Sequence, residues 1–370
     1  MVIAVVSDAV YPYNKGGKEK RIYELTTRLA KMGHEIHIYT MKWWEGPNDT
    51  IESGVNLHAI SKLHPLYKGK RRSISEGVIF GLACLKLITK KFDVIDVDHM
   101  PFFPIYGVWL VCSIRRKKMY ATWHEVWGDK YWVQYMGKSG HIAALIEKVS
   151  VKLPYRINAV SAHTAGMIDD KLGRSRNVSV LPNGINIEQI NSIKPANVSW
   201  DVIFAARLLK HKHADVLIEA IARLRDELPK LTCVIIGNGP EEERLKKLTT
   251  KLGLDGSVSF KDFFPNIEDL YANIKASKVY VSPSHREGFG LGILEANACG
   301  IPVITVDKPA NAAKELVKDG KNGSVVPLSS ERLSGAIKQW LQASKGKYQQ
   351  FTAAFDWDNL ANQLVEGYAK

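Results

Sequence analysis

The sequence predicts an α/β protein made of two Rossmann-like, doubly wound domains, each with a parallel sheet covered by helices. Short β-branched runs alternate with segments of helical spacing along the whole chain, which is typical of parallel sheets. The 370 residues exceed what one hydrophobic core usually organises. The alternation also restarts near Val202, after a polar stretch rich in Asn, Ser and Pro.

The individual elements follow from these runs. Strands are predicted in the first half at Ile3–Ser7, Glu35–Tyr39, Val94–Val97, Met119–Thr122, Asn158–Val160 and Val178–Leu181. The intervening helices include Lys18–Met32, Ser75–Lys90, Ile142–Leu153 and His163–Leu172. Strands of the second half are predicted at Val202–Ala205, Thr232–Ile236, Ser257–Phe260, Val279–Val281, Pro302–Val306 and Ser324–Val326. We expect domains at residues 1–185 and 201–350, a linker at 186–200, and a C-terminal helix within 351–370.

Composition and net charge limit the classes of molecule that the protein is expected to bind. Net charge is +13, and residues 1–190 hold 27 Lys and Arg against 17 Asp and Glu, so the first half carries +10 of it. Such a surface attracts anionic substrates, an anionic membrane or nucleic acid, but no nucleic-acid-binding signature is present. The four scattered cysteines form no Cys-x-x-Cys pair, and no signal peptide or membrane span is recognisable. We therefore expect a cytoplasmic protein that does not bind nucleic acid.

The most informative segment is Ser284–Thr305, which contains Glu287 and Glu295. Val279–Val281 leads into it, and Gly288, Gly290 and Gly292 form a turn before helical spacing begins at Leu291. A helix N-terminus behind such a turn offers free N–H groups and a partial positive charge, which suits a phosphate. Two acids flanking a phosphate-binding turn predict a phosphorylated sugar ligand whose hydroxyls the carboxylates bind.

This segment resembles the sugar-nucleotide signature of the family-4 glycosyltransferases, which are retaining enzymes of the GT-B fold. Glu287–Leu291, Leu294–Ala296 and Cys299–Val303 match its parts in order, and the resemblance extends over nearly the whole chain. It implies a first domain that binds the acceptor, a second that binds the nucleotide sugar across a cleft, and a closing helix that crosses back to the first domain.

The resemblance also assigns roles to other residues. Arg207 and Lys212 match the family's diphosphate clamp, although Ala206 and His213 stand where glycines are usual. Gly237 lies in its nucleotide pocket, and Gly17 belongs to its glycine loop. His124 matches a histidine near the reacting sugar. Glu287 would bind the sugar, Glu295 the ribose, and the Gly290–Gly292 turn with Leu291 the diphosphate.

The implied function is transfer of a sugar from a UDP- or GDP-sugar to a hydroxyl on a glycan or lipid-linked acceptor. We expect no metal or other cofactor, because Arg207 and Lys212 can offset the leaving-group charge; Asp96 and Asp98 are the alternative metal pair. A sugar-nucleotide 2-epimerase and a non-catalytic nucleotide-sugar-binding protein remain alternatives. A further pattern suggests that the protein binds peripherally to an anionic membrane. It consists of the basic run Lys68–Arg72 beside apolar Ile74–Ile88, together with Trp43 and Trp44.

Overall fold

The computed structural model describes residues 1–69, 71–343 and 346–369. The chain forms two compact units. The first comprises Met1–Asn183 together with Trp357–Lys370, and the second comprises Gly184–Asp356. Each unit is an α/β layer structure with its own parallel sheet, so the predicted fold class is confirmed.

The elements of the first unit are numbered along the chain. Its strands are β1 (Val2–Val6), β2 (Glu35–Met41), β3 (Asp49–Glu52), β4 (Val55–Ser61), β5 (Tyr67–Lys68), β6 (Arg71–Arg72), β7 (Val94–Asp98), β8 (Met119–Trp123), β9 (Arg156–Ala159) and β10 (Val178–Val180). Its helices are α1 (Gly17–Lys31), α2 (Ile74–Ala83), α3 (Phe103–Arg115), α4 (Gly128–Met136), α5 (Gly140–Ser150), α6 (Ala162–Leu172) and, at the C-terminus, α13 (Trp357–Ala369).

Eight of these strands form one sheet in the order β10-β9-β8-β7-β1-β2-β4-β3, parallel except for the β3–β4 pair. Helices α2, α3, α5 and α6 cover one face, where buried Phe80, Ile105, Val151 and Ile168 belong to a single core cluster. Helices α1 and α13 cover the other face through a second cluster. The helices thus enclose the sheet on both sides, as a doubly wound fold requires.

Buried polar contacts fasten α13 and α1 to the first unit. The Tyr368 hydroxyl donates to Asp96 Oδ2 at 2.6 Å. Burial raises the pKa of Asp96, although hydrogen bonds from Tyr368 and Thr122 partly offset it. The fully buried Arg21 guanidinium donates to the carbonyl of Leu181 at 2.9 Å and to Asn183 Oδ1 at 3.0 Å. These contacts satisfy polar groups that would otherwise be costly in the core.

The second unit repeats the plan with a six-stranded parallel sheet in the order β13-β12-β11-β14-β16-β18. Its strands are β11 (Trp200–Ala205), β12 (Cys233–Ile236), β13 (Val258–Lys261), β14 (Ser277–Ser282), β15 (Arg286–Glu287), β16 (Val303–Val306), β17 (Ala310–Asn311) and β18 (Gly323–Val326). Its helices are α7 (Ile187–Ser192), α8 (Ala214–Leu224), α9 (Glu242–Lys251), α10 (Ile267–Lys275), α11 (Leu291–Ala298) and α12 (Ser330–Gln342).

The structure differs from the sequence-based expectations in three respects. The antiparallel pair β3–β4 and helices α3 and α4 were not recognised in the sequence. The predicted helix Ser75–Lys90 ends as an α-helix at Ala83 and continues as 3-10 turns over Cys84–Thr89. The stretch 186–200 contains α7, whose N-terminus is capped by Asn186 Oδ1 accepting from the Gln189 N–H at 2.9 Å. Its polar composition obscured this helix.

A test of the α13 anchor is the substitution Tyr368→Phe. It removes the hydroxyl that Asp96 accepts from, and leaves a buried carboxyl with one partner fewer. We expect the free energy of unfolding to fall by about 1–3 kcal/mol. The measurement is denaturant unfolding monitored by circular dichroism. The matched control is Tyr23→Phe, because the Tyr23 hydroxyl contacts Ser53 at an exposed position and should contribute little. Equal losses in both variants would contradict the anchoring role.

Candidate nucleotide-sugar site

The second sheet has a topological switch point between β11 and β14. Strands β12 and β13 lie on one side of this adjacent pair, and β16 and β18 lie on the other. The loops after the two strands therefore leave in opposite directions, and a crevice forms outside their carboxyl ends, where doubly wound sheets bind ligands. Arg207 and Lys212 follow β11, whereas Glu287 and Gly290 follow β14. Four predicted site residues thus come from two neighbouring strand ends.

An ion pair joins the two loops at this point. Lys212 Nζ lies 2.5 Å from Glu287 Oε1, and both side chains are about one-sixth exposed, at 17% and 18%. Their residual exposure leaves the pair accessible to a ligand. Arg207 is exposed, and its side chain makes no ion pair with any residue in the described ranges. The structure therefore brings Lys212 and Glu287 into contact and leaves Arg207 at the surface.

The second acid, Glu295, lies inside α11, about one helical turn after the helix begins at Leu291. Its Oε1 accepts a hydrogen bond from the Tyr271 hydroxyl at 2.8 Å. Burial and the charges of Glu295 and Glu287 raise the pKa of Tyr280, whose hydroxyl donates to the Ala205 carbonyl at 2.9 Å. Tyr280 belongs to β14, and its hydroxyl contacts the last residue of β11, so both carboxylates influence a tyrosine that connects the two central strands.

Glycines shape the backbone around this crevice. Gly290 caps α11 with φ 102°, and a Cβ at this position would lie 2.3 Å from Ala313 Cβ. Gly237 follows β12 with φ 141°, and a Cβ there would lie 2.0 Å from the Ala206 carbonyl oxygen. Neither position accepts a side chain without rearrangement. Leu291 and Gly292 form the first turn of α11, whose N-terminus points its N–H groups out of the helix.

His213 occupies a backbone position that favours glycine. Its φ of 51° and ψ of 41° lie in the left-handed region, directly before α8. The loop therefore keeps the conformation that a glycine would allow. The imidazole also contributes a contact, because His213 Nε2 and His285 Nδ1 lie 2.8 Å apart. Burial lowers the pKa of both histidines, so the neutral rings can share one N–H···N bond.

The first unit has an equivalent switch point between β1 and β7. Lys18, next to Gly17 at the start of α1, donates to Asp8 Oδ1 after β1 at 2.7 Å and lies 3.8 Å from Asp98 Oδ1 at the end of β7. His124, directly after β8, places Nε2 3.2 Å from Asp98 Oδ2. Gly17 and His124, which the sequence singled out separately, are thus connected through Lys18 and Asp98.

The positively charged groups around Asp98 favour the ionised form of its carboxyl. Burial favours a neutral Asp98, but Lys18 and His124 outweigh it and hold the pKa of this carboxyl below its ordinary value. Burial lowers the pKa of neighbouring His99 to about 3. Asp98, His99 and His124 also offer potential metal-ligand atoms that lie within 4.8 Å of one another. Asp96, the other acid of the expected pair, instead bonds Tyr368.

Sequence reasoning missed several residues of this cluster. Asp8 and Lys18 were not singled out, and Arg72 was noted only as part of the basic run Lys68–Arg72. In the structure the Arg72 guanidinium pairs with Asp8, and the Lys18 ammonium lies 3.8 Å from Asp98 Oδ1. The available signal was positional. Asp8 follows β1 and Asp98 ends β7, and these two strands are parallel neighbours. The carboxyl ends of parallel strands meet at one edge of the sheet. The contribution of Arg72 had no such signal, since β5 and β6 form a separate hairpin.

Two Rossmann-like units, each with a charged cluster at its switch point, define a protein of the GT-B class. Two family models match the chain: Glycosyltransferase Family 4 over residues 15–189 and Glycosyl transferases group 1 over residues 186–354. The chain belongs to the group 1 glycosyltransferases. This family is the one that the Glu287–Val303 motifs indicated.

Curated relatives share the family but are longer. The chain is 29% identical over 191 residues to the GtfA subunit of the UDP-N-acetylglucosamine–peptide N-acetylglucosaminyltransferase of Streptococcus pneumoniae, which covers 52% of the chain and 37% of that protein. It is 30% identical to a GDP-mannose-dependent phosphatidylinositol monomannoside mannosyltransferase of Mycolicibacterium smegmatis, covering 46% and 48% respectively. In both cases the match spans less than half of the relative's length.

Solved structures resemble the chain over its whole length. Sucrose-phosphate synthase from Thermosynechococcus elongatus superposes with a TM-score of 0.79 at 18% identity, covering 100% of this chain and 98% of that one. Anabaena HepE, solved with UDP and glucose, gives a TM-score of 0.75 at 18% identity, with 100% and 99% covered. At such identities the similarity establishes the fold alone.

The left-handed backbone at residue 213 can be tested by two substitutions. His213→Gly relieves the backbone strain but loses the bond to His285, so we expect the unfolding free energy to change by less than about 1 kcal/mol. His213→Val places a β-branched residue at positive φ and should destabilise by about 1–2 kcal/mol. Chemical denaturation of both variants measures the difference. If valine is tolerated as well as glycine, the described backbone is incorrect.

Proposed function

We propose that this protein is a retaining glycosyltransferase that moves a sugar from a nucleoside-diphosphate sugar to a hydroxyl acceptor. The observation that carries the proposal is the Lys212–Glu287 ion pair at the switch point of the second sheet, beside the glycine turn that opens α11. Cations, a helix N-terminus and acids next to one crevice match the groups of such a donor: its diphosphate, its ribose and its sugar.

Each residue has a role in this proposal. The diphosphate lies on the Gly290–Gly292 turn, with Arg207 and Lys212 neutralising the charge that develops when the glycosidic bond breaks. Gly237 leaves room for the nucleotide at the end of β12. Glu295 binds ribose hydroxyls, and Glu287 binds the transferred sugar. The contact between Lys212 and Glu287 orients both groups before the donor arrives, so less ordering is needed on binding.

The first unit supplies the acceptor side. Gly17 and His124, connected through Lys18 and Asp98, form a polar group that can bind hydroxyls of the acceptor. We propose a glycan or lipid-linked acceptor, in part because one relative is named for a phosphatidylinositol monomannoside. Both UDP- and GDP-dependent proteins occur among the relatives, so either nucleotide fits the proposal.

We further propose that transfer needs no metal ion or other cofactor, because Arg207 and Lys212 supply positive charge at the diphosphate. The relatives are named as transferases, which favours transfer over the 2-epimerase and the non-catalytic alternatives. Incubation with labelled UDP- and GDP-sugars, with and without extracted lipid or glycan acceptors, tests the function. Product formation only with an acceptor supports transfer, and isomerisation of donor alone contradicts it.

The diphosphate clamp is tested by Arg207→Ala and Lys212→Ala. Each should lower turnover of the donor by about 100-fold or more, since each removes a charge that stabilises the leaving group. Lys210→Ala is the matched control, because this exposed lysine lies in the same loop. Initial rates with saturating acceptor give the comparison, and circular dichroism confirms folding. Transfer near the wild-type rate in both clamp variants would remove the assignment.

The two acids should have different kinetic signatures. Glu295→Ala should mainly raise the KM for donor, because ribose is bound alike in the ground and transition states. Glu287→Ala should also lower kcat, since Glu287 touches the reacting sugar and holds Lys212. Steady-state kinetics with varied donor separate the two effects. The same pattern in both variants would show that the division of roles is wrong.

A further inference from the structure

The outer surface of three helical segments in the first unit is apolar. Helix α2 with its 3-10 extension, α3 and α5 cover the same face of the sheet, and α3 joins α5 through the Tyr106 hydroxyl donating to the Ile146 carbonyl at 3.0 Å. The large apolar side chains that these segments expose are Ile74, Val78, Ile79, Leu82, Leu85, Ile88, Trp109, Leu110, Ile114, Ile142, Leu145 and Val149. We call this surface the apolar face. Several of its residues are more than half exposed, including Leu82 at 63% and Ile114 at 65%.

The second unit provides an internal comparison. It has the same architecture and a similar length, yet the only large apolar side chains exposed in its described residues are Val198 and Phe263. Exposure of isolated apolar residues is ordinary, but a concentration on one face marks a surface that another component covers. Most of the excess belongs to this face, which carries 12 of the 20 large apolar side chains exposed in the described residues of the first unit.

Within the segments that form the apolar face, the exposed lysines and arginines have no exposed acid among them. In segments 67–91, 103–118 and 137–153 the only acidic residues are Glu76 and Glu147, and each is 1% exposed. The exposed charged side chains there are Lys68, Arg71, Lys86, Lys90, Lys91, Arg116, Lys117, Lys118, Lys138, Lys148 and Lys152. Lys70, part of the basic run noted in the sequence, lies outside the described residues. One exposed acid outside these segments, Asp129 of α4, contacts α5, with 2.6 Å between its Oδ1 and His141 Nδ1. An apolar surface with a predominantly cationic border complements an anionic one.

We propose that the apolar face docks the protein on an anionic lipid bilayer. Apolar side chains enter the boundary between headgroups and acyl chains, while the surrounding lysines and arginines contact lipid phosphates. Trp109, 40% exposed, is suited to the interfacial depth that aromatic rings prefer. The sequence indicated only the first of these segments. The structure adds α3 and α5, which are distant in sequence but form one surface with α2.

The charge pattern also argues against a second copy of this chain as the occupant. A symmetric dimer through the apolar face would place its lysines and arginines against the same residues of the other copy, with no exposed acid among them. No helix in the described residues has the length and hydropathy needed to cross a bilayer. Docking through exposed side chains of this face is peripheral and reversible.

Docking on the bilayer would bring the enzyme to a lipid-linked acceptor, and only this consequence rests on the proposed function. Docking itself needs neither donor nor acceptor. Vesicle binding and glycosyl transfer to a soluble acceptor analogue can therefore succeed or fail independently. Loss of one without the other identifies which proposal is wrong.

The first experiment is co-sedimentation of the full chain with phosphatidylcholine vesicles, with and without phosphatidylglycerol. We expect binding to the anionic vesicles that weakens between about 0.1 and about 1 M salt, as the Debye length falls from about 10 to about 3 Å. Equal binding to both vesicle types, or no binding to either, would overturn the proposal.

The apolar contribution is tested with the triple variant Leu82→Ser, Ile114→Ser and Leu145→Ser, one residue from each helix. All three are at least 60% exposed, so the substitutions should leave the fold intact. The matched control is Ile51→Ser, Val198→Ser and Phe263→Ser, which removes three exposed apolar side chains elsewhere. We expect at least a tenfold loss of vesicle affinity in the first variant and little change in the second. Equal affinities would overturn the role of this face.

The cationic contribution is tested with Lys90, Lys91, Lys117 and Lys148 replaced by Gln. The control replaces Lys230, Lys247, Lys251 and Lys321 of the second unit, which are also exposed, and changes net charge equally. We expect at least about a tenfold loss of anionic-vesicle affinity for the first set and a much smaller loss for the control. Equal losses would show that net charge alone attracts the protein.

Sedimentation velocity without lipid completes the test: a dimer abolished by the triple Ser variant would assign the face to self-association instead.

Discussion

Both units depend on the same constraint, which is that parallel strands joined by crossover helices have all their carboxyl ends at one edge of a sheet. Where strand order changes direction, two neighbouring loops separate and expose a crevice. In the second unit this brings Lys212 and Glu287 within 2.5 Å although they lie 75 residues apart. In the first unit it brings Lys18, Asp98 and His124 together. In each site, strand order brings together residues that no single continuous motif contains.

The second site tolerates two departures from its family's pattern for different physical reasons. His213 retains the left-handed backbone conformation, and its ring gains a partner in His285. At Ala206 the close contact is made by the backbone, because a Cβ on Gly237 would lie 2.0 Å from the Ala206 carbonyl oxygen. This backbone contact does not depend on whether residue 206 is glycine or alanine. The Lys212–Glu287 ion pair joins the two loops.

The two units share a fold but differ in how many large apolar side chains their helices expose. Helices of the second unit are amphipathic in the usual sense, with few large apolar groups in solvent. Helices α2, α3 and α5 of the first unit are apolar on the core side and on the outer side. The sheet beneath them needs only the inner side, which supplies Phe80, Ile105 and Val151 to the core. None of the exposed residues of the apolar face belongs to that core cluster, and this is why we attribute them to an interaction.

The sequence alone determined the fold class, the positions of most parallel strands and the residues of the nucleotide-sugar signature. It could do so because β-branched runs, helical spacing and glycine turns are local features of the chain. Tertiary structure decided which distant residues meet. The Lys18–Asp98–His124 cluster, the partnership of Lys212 with Glu287, and the joining of α2, α3 and α5 into one face arise from strand order and packing. No local pattern encodes these contacts, because each joins segments that only the folded sheet brings side by side.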